Sequence, residues 1–362
     1  MEKNKEEQVQ ENQPSSEIEQ DHKRKTPSIS KDMIKVNEIT PETKKSLKQR
    51  TITALLLVAI VVPPIIIGDW PFVVGLFIFS LIAIYEFINV LASKKFPLIV
   101  DIFTFIMTLS FIFWIAIKQY VQDSSSLYNN GHFYISDIQI STLGVATLVL
   151  ILFLFALSYS RFDVTDVCYL TTMSILVSLC IQAIYFIRLC PSSIVGYNYE
   201  YSNHLATCLL FFYVALGAFF SDIGAYFFGI LFGKHKMNPR ISPKKTWEGF
   251  VGGIVVSFIV TFSFAMICDA CNTPILNGIL DKSHWWWIVI ISLSMPPISV
   301  LGDLLVSTIK RYYKIKDFGN LLPGHGGVLD RIDSLLITCL FVTCMILVIR
   351  YFPFWSISLW ND

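Results

Sequence analysis

From residue 51 to residue 351 the chain alternates long apolar runs with short polar breaks. The runs approach the roughly 20 residues a helix needs to cross a bilayer. Nine such stretches can be drawn: Thr51–Ile67, Phe72–Leu91, Ile102–Ile117, Leu143–Ser158, Leu170–Leu189, Leu205–Phe232, Phe250–Cys268, Trp285–Val306 and Leu335–Tyr351. Because a bilayer core offers no water to backbone N–H and C=O groups, such runs predict helices. The expected fold is therefore all-α, a polytopic membrane protein with about nine transmembrane helices. Pro63-Pro64 and Pro296-Pro297 fall inside the first and eighth stretches. Each pair removes backbone donors and crowds the preceding turn, so a kink is expected there.

Residues 1–43 differ in kind, being rich in Glu, Gln, Lys and Ser with few large apolar side chains. Such a segment cannot bury enough surface to offset its chain entropy, and it reads as a disordered cytoplasmic tail. It has no apolar run near Met1 of the sort a signal peptide carries. Residues 44–362 form the expected membrane domain.

The polar breaks give an orientation. With the N-terminus cytoplasmic, Lys94, Lys95, Arg161, Lys234, Lys236, Arg240, Lys244, Lys245, Lys310, Arg311, Lys314, Lys316 and Arg331 all fall inside. Lys118, Arg188, Lys282 and Arg350 are left outside. This is the positive-inside pattern. Composition adds little to it: the chain is 54% hydrophobic and 15% charged, and its net charge of +1 points to no nucleic-acid partner. Most of the eight cysteines lie in apolar runs, where Cys behaves as a small hydrophobe. The Cys268 and Cys271 pair has a metal-like spacing but no second ligand pair to complete it.

Two of the inner breaks hold unusual chemistry. In FFSDIGAYFFGILFGKHKMNPRISPKKTWEG, Asp222 interrupts an apolar helix, which is costly unless the carboxylate is paired, hydrated or bound to a cation. Gly224, Ala225 and Gly229 beside it would let a helix or ligand come close. Farther on, Lys234, Ser242, Lys244, Lys245, Thr246 and Glu248 precede the next helix. Hydroxyls, cations and free helix N–H groups together suit phosphate binding.

The second break, from Ser307 to Ser334, is expected to be one loop holding five cations, three aspartates, a histidine and several glycines. Asp303 stands just before it, and Asp317, Asp330 and Asp333 lie within it. Carboxylates beside cations either balance one another or hold a divalent metal that bridges phosphates, and hard oxygen ligands suit magnesium. Gly324, Gly326 and Gly327 around His325 would let backbone N–H groups approach an anion. No P-loop, G-x-S-x-G or H-E-x-x-H motif is present. The combination points to an enzyme that handles phosphate at the membrane face. An ion-coupled transporter using Asp222 and Asp303, or a non-catalytic lipid-binding protein, are the other readings. No internal repeat supports the transporter.

Ser307, Lys310, Arg311, Lys316, Asp317, Gly319, Leu322, Pro323, His325, Gly326, Gly327, Asp330, Arg331 and Asp333 together carry a resemblance. The stretch resembles the signature of the phosphatidate cytidylyltransferase (CDP-diacylglycerol synthase) family. Ser221 to Lys234 and Ile241 to Gly249 are similar to the family as well, and the likeness spans roughly residues 45–352. It implies the conversion of CTP and phosphatidate to CDP-diacylglycerol and pyrophosphate. It also implies Mg2+ held by Asp303 and Asp330, a second, potassium-like cation, and a homodimer in a bacterial-type cell membrane or the endoplasmic reticulum. Lys310, Arg311, Asp317, His325, Arg331 and Asp333 would be catalytic. Lys234, Ser242, Lys244, Lys245, Thr246, Gly326 and Gly327 would bind substrate phosphates, with Asp222 and Glu248 as further candidates. Deleting residues 2–40 is expected to leave turnover nearly unchanged; a large loss would show that the tail takes part.

Overall fold

The computed structural model describes residues 41–91, 96–124, 142–189, 203–323 and 326–351. The chain divides into two units, residues 1–45 and 46–362, and the fold below is that of the second. Nine α-helices lie among the described residues: α1 (Pro41–Ile67), α2 (Asp69–Asn89), α3 (Leu98–Ser124), α4 (Thr142–Ser158), α5 (Val164–Leu189), α6 (Asn203–Phe232), α7 (Trp247–Ala270), α8 (Trp285–Tyr312) and α9 (Leu329–Tyr351). Each apolar stretch of the sequence falls on one of them. Among the described residues, six helices are long and apolar enough to cross a membrane, and the apolar parts of α1, α3 and α4 are shorter. The fold is all-α apart from one antiparallel hairpin, β1 (Lys236–Asn238) with β2 (Ser242–Thr246). Both proline pairs sit inside unbroken helices.

Helix α5 is the hub, packing against α2, α3, α4, α6 and α9. Several of its polar side chains are buried and bonded across the interfaces: the Ser174 and Thr108 hydroxyls lie 2.9 Å apart, and the Tyr169 hydroxyl donates to the Phe87 carbonyl at 2.9 Å. In a bilayer, where apolar contact alone does not drive helices together, such bonds and small residues supply the association. Arg188, buried at the end of α5, donates to the Ile65 carbonyl at 2.7 Å, the Ile66 carbonyl at 3.2 Å and the Thr207 hydroxyl at 2.8 Å. It therefore satisfies carbonyls that the end of α1 leaves free.

The second half of the unit is built on the pairing of α6 with α7, the most extensive in the fold. A methyl at Gly224 would lie 3.0 Å from the Gly252 carbonyl, and one at Gly253 would lie 2.7 Å from that of Ser221. The small residues beside Asp222 therefore admit a helix, α7. Helices α8 and α9 pack against this pair.

The helix ends depart from expectation. Asp330, Arg331 and Asp333 lie in the opening turns of α9, and Lys310 and Arg311 lie in the last turn of α8, so the connecting loop is only residues 313–328. The physical reason is local. A carboxylate early in a helix and cations in its last turn complement the macrodipole, so these charges continue the helices instead of ending them.

Candidate active site

Four elements bring charged side chains together at one end of the helices. Lys245 comes from β2, Asp222 from α6, Asp303 and Lys310 from α8, and Asp330 and Asp333 from α9. The Lys310 ammonium lies 2.8 Å from Asp330 Oδ1 and 3.8 Å from Asp333 Oδ2, with the Lys310 and Asp330 side chains only 8% and 1% exposed. Lys245 lies 2.6 Å from Asp303 Oδ2. Asp222 is within electrostatic reach of Lys245 and Asp303, and Asp333 is within reach of Asp303. Ser307 donates to Asp303 at 3.3 Å and Ser334 to Asp222 at 3.4 Å.

Strand periodicity decides which lysine joins the cluster. Successive side chains on β2 point to opposite faces. Lys245 accordingly turns inward while its neighbour Lys244 is exposed. The Lys245 contact with Asp303 is an ion pair by distance but not a well-aligned hydrogen bond, so its buried ammonium keeps donors available to a further acceptor.

The hairpin that carries Lys245 is held by its own polar groups. Thr246 caps α7 by accepting from the Gly249 N–H at 3.2 Å. The Glu248 carboxylate accepts from the His235 backbone N–H at 3.2 Å and pairs with His235 Nδ1 at 2.6 Å. Arg311 is exposed and donates to the Ile241 carbonyl at 3.4 Å, tying the end of α8 to the hairpin. Ser242 is half-buried at the start of β2, while Lys234 and Arg331 are exposed outside the cluster.

The glycine-rich loop is folded on itself. Gly326 has φ +88°, a left-handed conformation that suits glycine, and its N–H donates to the Leu322 carbonyl at 3.1 Å. Asp330 Oδ2 accepts from the N–H of Phe318 at 2.7 Å and of Gly327 at 3.1 Å. The N–H groups of Gly326 and Gly327 are thus engaged within the loop, and the anion that Gly327 approaches is the chain's own. Asp317 is half-buried beside Gly326. His325 and Gly324 lie outside the described residues.

One participant escaped the sequence reading. Glu86, on α2 and 2% exposed, accepts from the N–H of Val328 and of Leu329, both at 2.8 Å. Its signal was a lone acid in the apolar run IAIYEFINV, the same oddity that drew attention to Asp222.

A model of the cytidylyltransferase family matches residues 48–349. The chain belongs to the cytidylyltransferase family. The matched span includes every residue of the charged cluster. Proteins named phosphatidate cytidylyltransferase are similar over 290 residues, 80% of this chain: that of Bacillus subtilis is 32% identical with 94% of its length covered. Those of Staphylococcus saprophyticus and Staphylococcus haemolyticus are 30% and 29% identical, each with 95% covered. With its six long apolar helices and bacterial relatives, this cytidylyltransferase is a multi-pass membrane protein of bacterial cell-membrane type.

The four carboxyl groups of Asp222, Asp303, Asp330 and Asp333 share the cluster with two ammonium groups. Among the described residues no three His, Cys, Asp or Glu side chains converge as a ready-made cage. Magnesium binds through one or two carboxylates and completes its shell with water and substrate oxygens, and Asp303 and Asp330 offer oxygens of that kind. Of the CDAC cysteines, Cys268 is buried and Cys271 exposed, and neither is in a disulfide.

Proposed function

We propose that this cytidylyltransferase converts CTP and phosphatidate to CDP-diacylglycerol and pyrophosphate for phospholipid synthesis. The observation that carries the reading is the convergence of Lys245 and Lys310 with four carboxylates at one end of a membrane bundle. A cytosolic nucleotide and a lipid phosphate can both reach such a place if the N-terminus and the basic breaks are cytosolic, as the positive-inside pattern favours.

A lipid phosphate oxygen attacks the α-phosphorus of CTP, a new P–O bond forms, and the bond to the β-phosphate oxygen breaks to release pyrophosphate. The nucleophile is the substrate's own phosphate, so no serine or cysteine nucleophile is needed. This chain's task is positioning and charge neutralisation. Lys245 presents free donors to a phosphate oxygen, while Lys310, held by Asp330 and Asp333, places a second cation in the cluster. A magnesium ion held by Asp303 and Asp330 would neutralise charge on the phosphates as pyrophosphate leaves. Among the described residues, Asp303 Oδ1 receives only Ser307 and Asp330 Oδ1 only Lys310, so each retains lone-pair capacity toward a cation.

The exposed Lys234, Lys244, Arg311 and Arg331 would supply longer-range attraction to a polyanion. Lys245→Ala is therefore expected to lower kcat/KM for CTP by about 10- to 100-fold, whereas Lys244→Ala changes it by about threefold or less. Equal losses in steady-state assays would remove the distinction between the two faces of β2.

The reading is tested with purified chain in detergent, CTP, and either phosphatidate or diacylglycerol. One pyrophosphate per CDP-diacylglycerol is expected with phosphatidate, and none with diacylglycerol. Pyrophosphate release that ignores the lipid phosphate would exclude it as the nucleophile.

A further inference from the structure

We infer that Glu86 is a positioning residue for the reaction, anchoring the signature loop from the far side of the sequence. The inference rests on the proposed cytidylyltransferase reading for its effect on turnover, but the anchor itself is read directly from geometry. Glu86 Oε1 accepts from the Val328 N–H and Oε2 from the Leu329 N–H, each at 2.8 Å. These amides open α9, where the helix leaves N–H groups without intrahelical partners and its dipole favours a negative charge. A single carboxylate from α2 thus caps a helix that begins more than 240 residues later.

The surrounding loop is shaped to admit that carboxylate. A methyl at Gly319 would lie 2.6 Å from Glu86 Oε1, and one at Gly327 would lie 2.7 Å from Oε2. Real Cβ atoms do not come so near, so the two glycines leave the space the carboxylate occupies. Helix α1 approaches the same loop at another point, where the Thr53 hydroxyl lies 2.9 Å from the Gln49 carbonyl and 3.3 Å from that of Pro323.

What the anchor fixes is the residue that faces the chemistry. Leu329 is followed directly by Asp330, whose Oδ2 is held by the N–H groups of Phe318 and Gly327 and whose Oδ1 receives Lys310. Gly327 therefore touches Glu86 on one side and donates to Asp330 on the other. Loss of the Glu86 carboxylate frees the start of α9 and lets Asp330 and Lys310 drift from register. Glu86 need not touch substrate to act in this way.

The test pairs hydrogen–deuterium exchange with kinetics on the full chain in detergent, using Glu86→Gln and Gly327→Ala. Glutamine keeps the volume but turns an N–H group toward an N–H donor. Gly327→Ala keeps Glu86 but pushes a methyl against its carboxylate and against the Gly319 backbone nitrogen, so it disturbs the same corner of the loop by another route if the first variant folds poorly. Both are expected to raise exchange in the peptide covering residues 318–330 by about tenfold or more, with little change elsewhere. Both should also lower kcat per folded molecule by about tenfold or more, and Glu86→Asp should recover part of it. Unchanged exchange in that peptide would overturn the anchor. Raised exchange with normal kcat would overturn its role in positioning. If the wild-type chain makes no CDP-diacylglycerol, the proposed reaction fails, while the exchange result still decides the anchor.

Discussion

Asp303→Ala is expected to lower turnover by about 10²- to 10³-fold while the protein stays folded, the loss typical of removing one electrostatic group from a transfer site. Two features of the structure separate these effects. The Asp303 side chain is 28% exposed, and its partners are one misaligned lysine and one long hydroxyl contact. Removing it leaves the buried Lys245 ammonium still beside the Asp222 carboxylate, so that charge keeps a partner. Its contribution is to the site's potential and to any cation there, so the damage should appear in kcat and not in thermal unfolding in detergent. Near-normal turnover in the purified variant would remove Asp303 from the site.

Asp330→Ala should lose both activity and stability. Here the carboxylate is buried and serves three donors, the Lys310 ammonium and the N–H groups of Phe318 and Gly327. Removing one partner of a buried pair costs about 3–5 kcal/mol, of which Asp333, 3.8 Å from the Lys310 ammonium, offsets part. The glycine loop loses its internal acceptor at the same time. Asp330→Asn keeps the shape and a carbonyl oxygen, so it should be milder in stability while remaining strongly impaired in turnover. Thermal unfolding and turnover measured on both variants separate the two effects. An alanine variant as stable as wild type would contradict the buried pair.

Much of this was legible along the chain because bilayer physics writes itself into apolar runs. All nine stretches fall on helices, and Asp303, Asp330, Asp333, Lys310, Lys245 and Asp222 do meet. The helix ends were less visible, since Lys310, Arg311, Asp330 and Asp333 are polar residues that continue a helix, and polarity alone resembles a loop. The two lysines of SPKKT look equivalent until a strand gives them opposite faces. Gly327, read as an opening for an anion, donates its N–H to Asp330 and lies against Glu86. The Glu86 contact is a pairing over more than 240 residues, which no local pattern encodes.

The central claim is that the carboxylate–lysine cluster transfers a cytidylyl group with the help of a divalent cation. The most direct measurement is CDP-diacylglycerol formation from CTP and phosphatidate by the purified chain, first in excess chelator and then with magnesium restored. Product that disappears in chelator and returns with magnesium is the predicted result. Full activity in chelator would contradict the role given to the metal. No product in either condition, from protein that unfolds cooperatively on heating, would contradict the reaction itself.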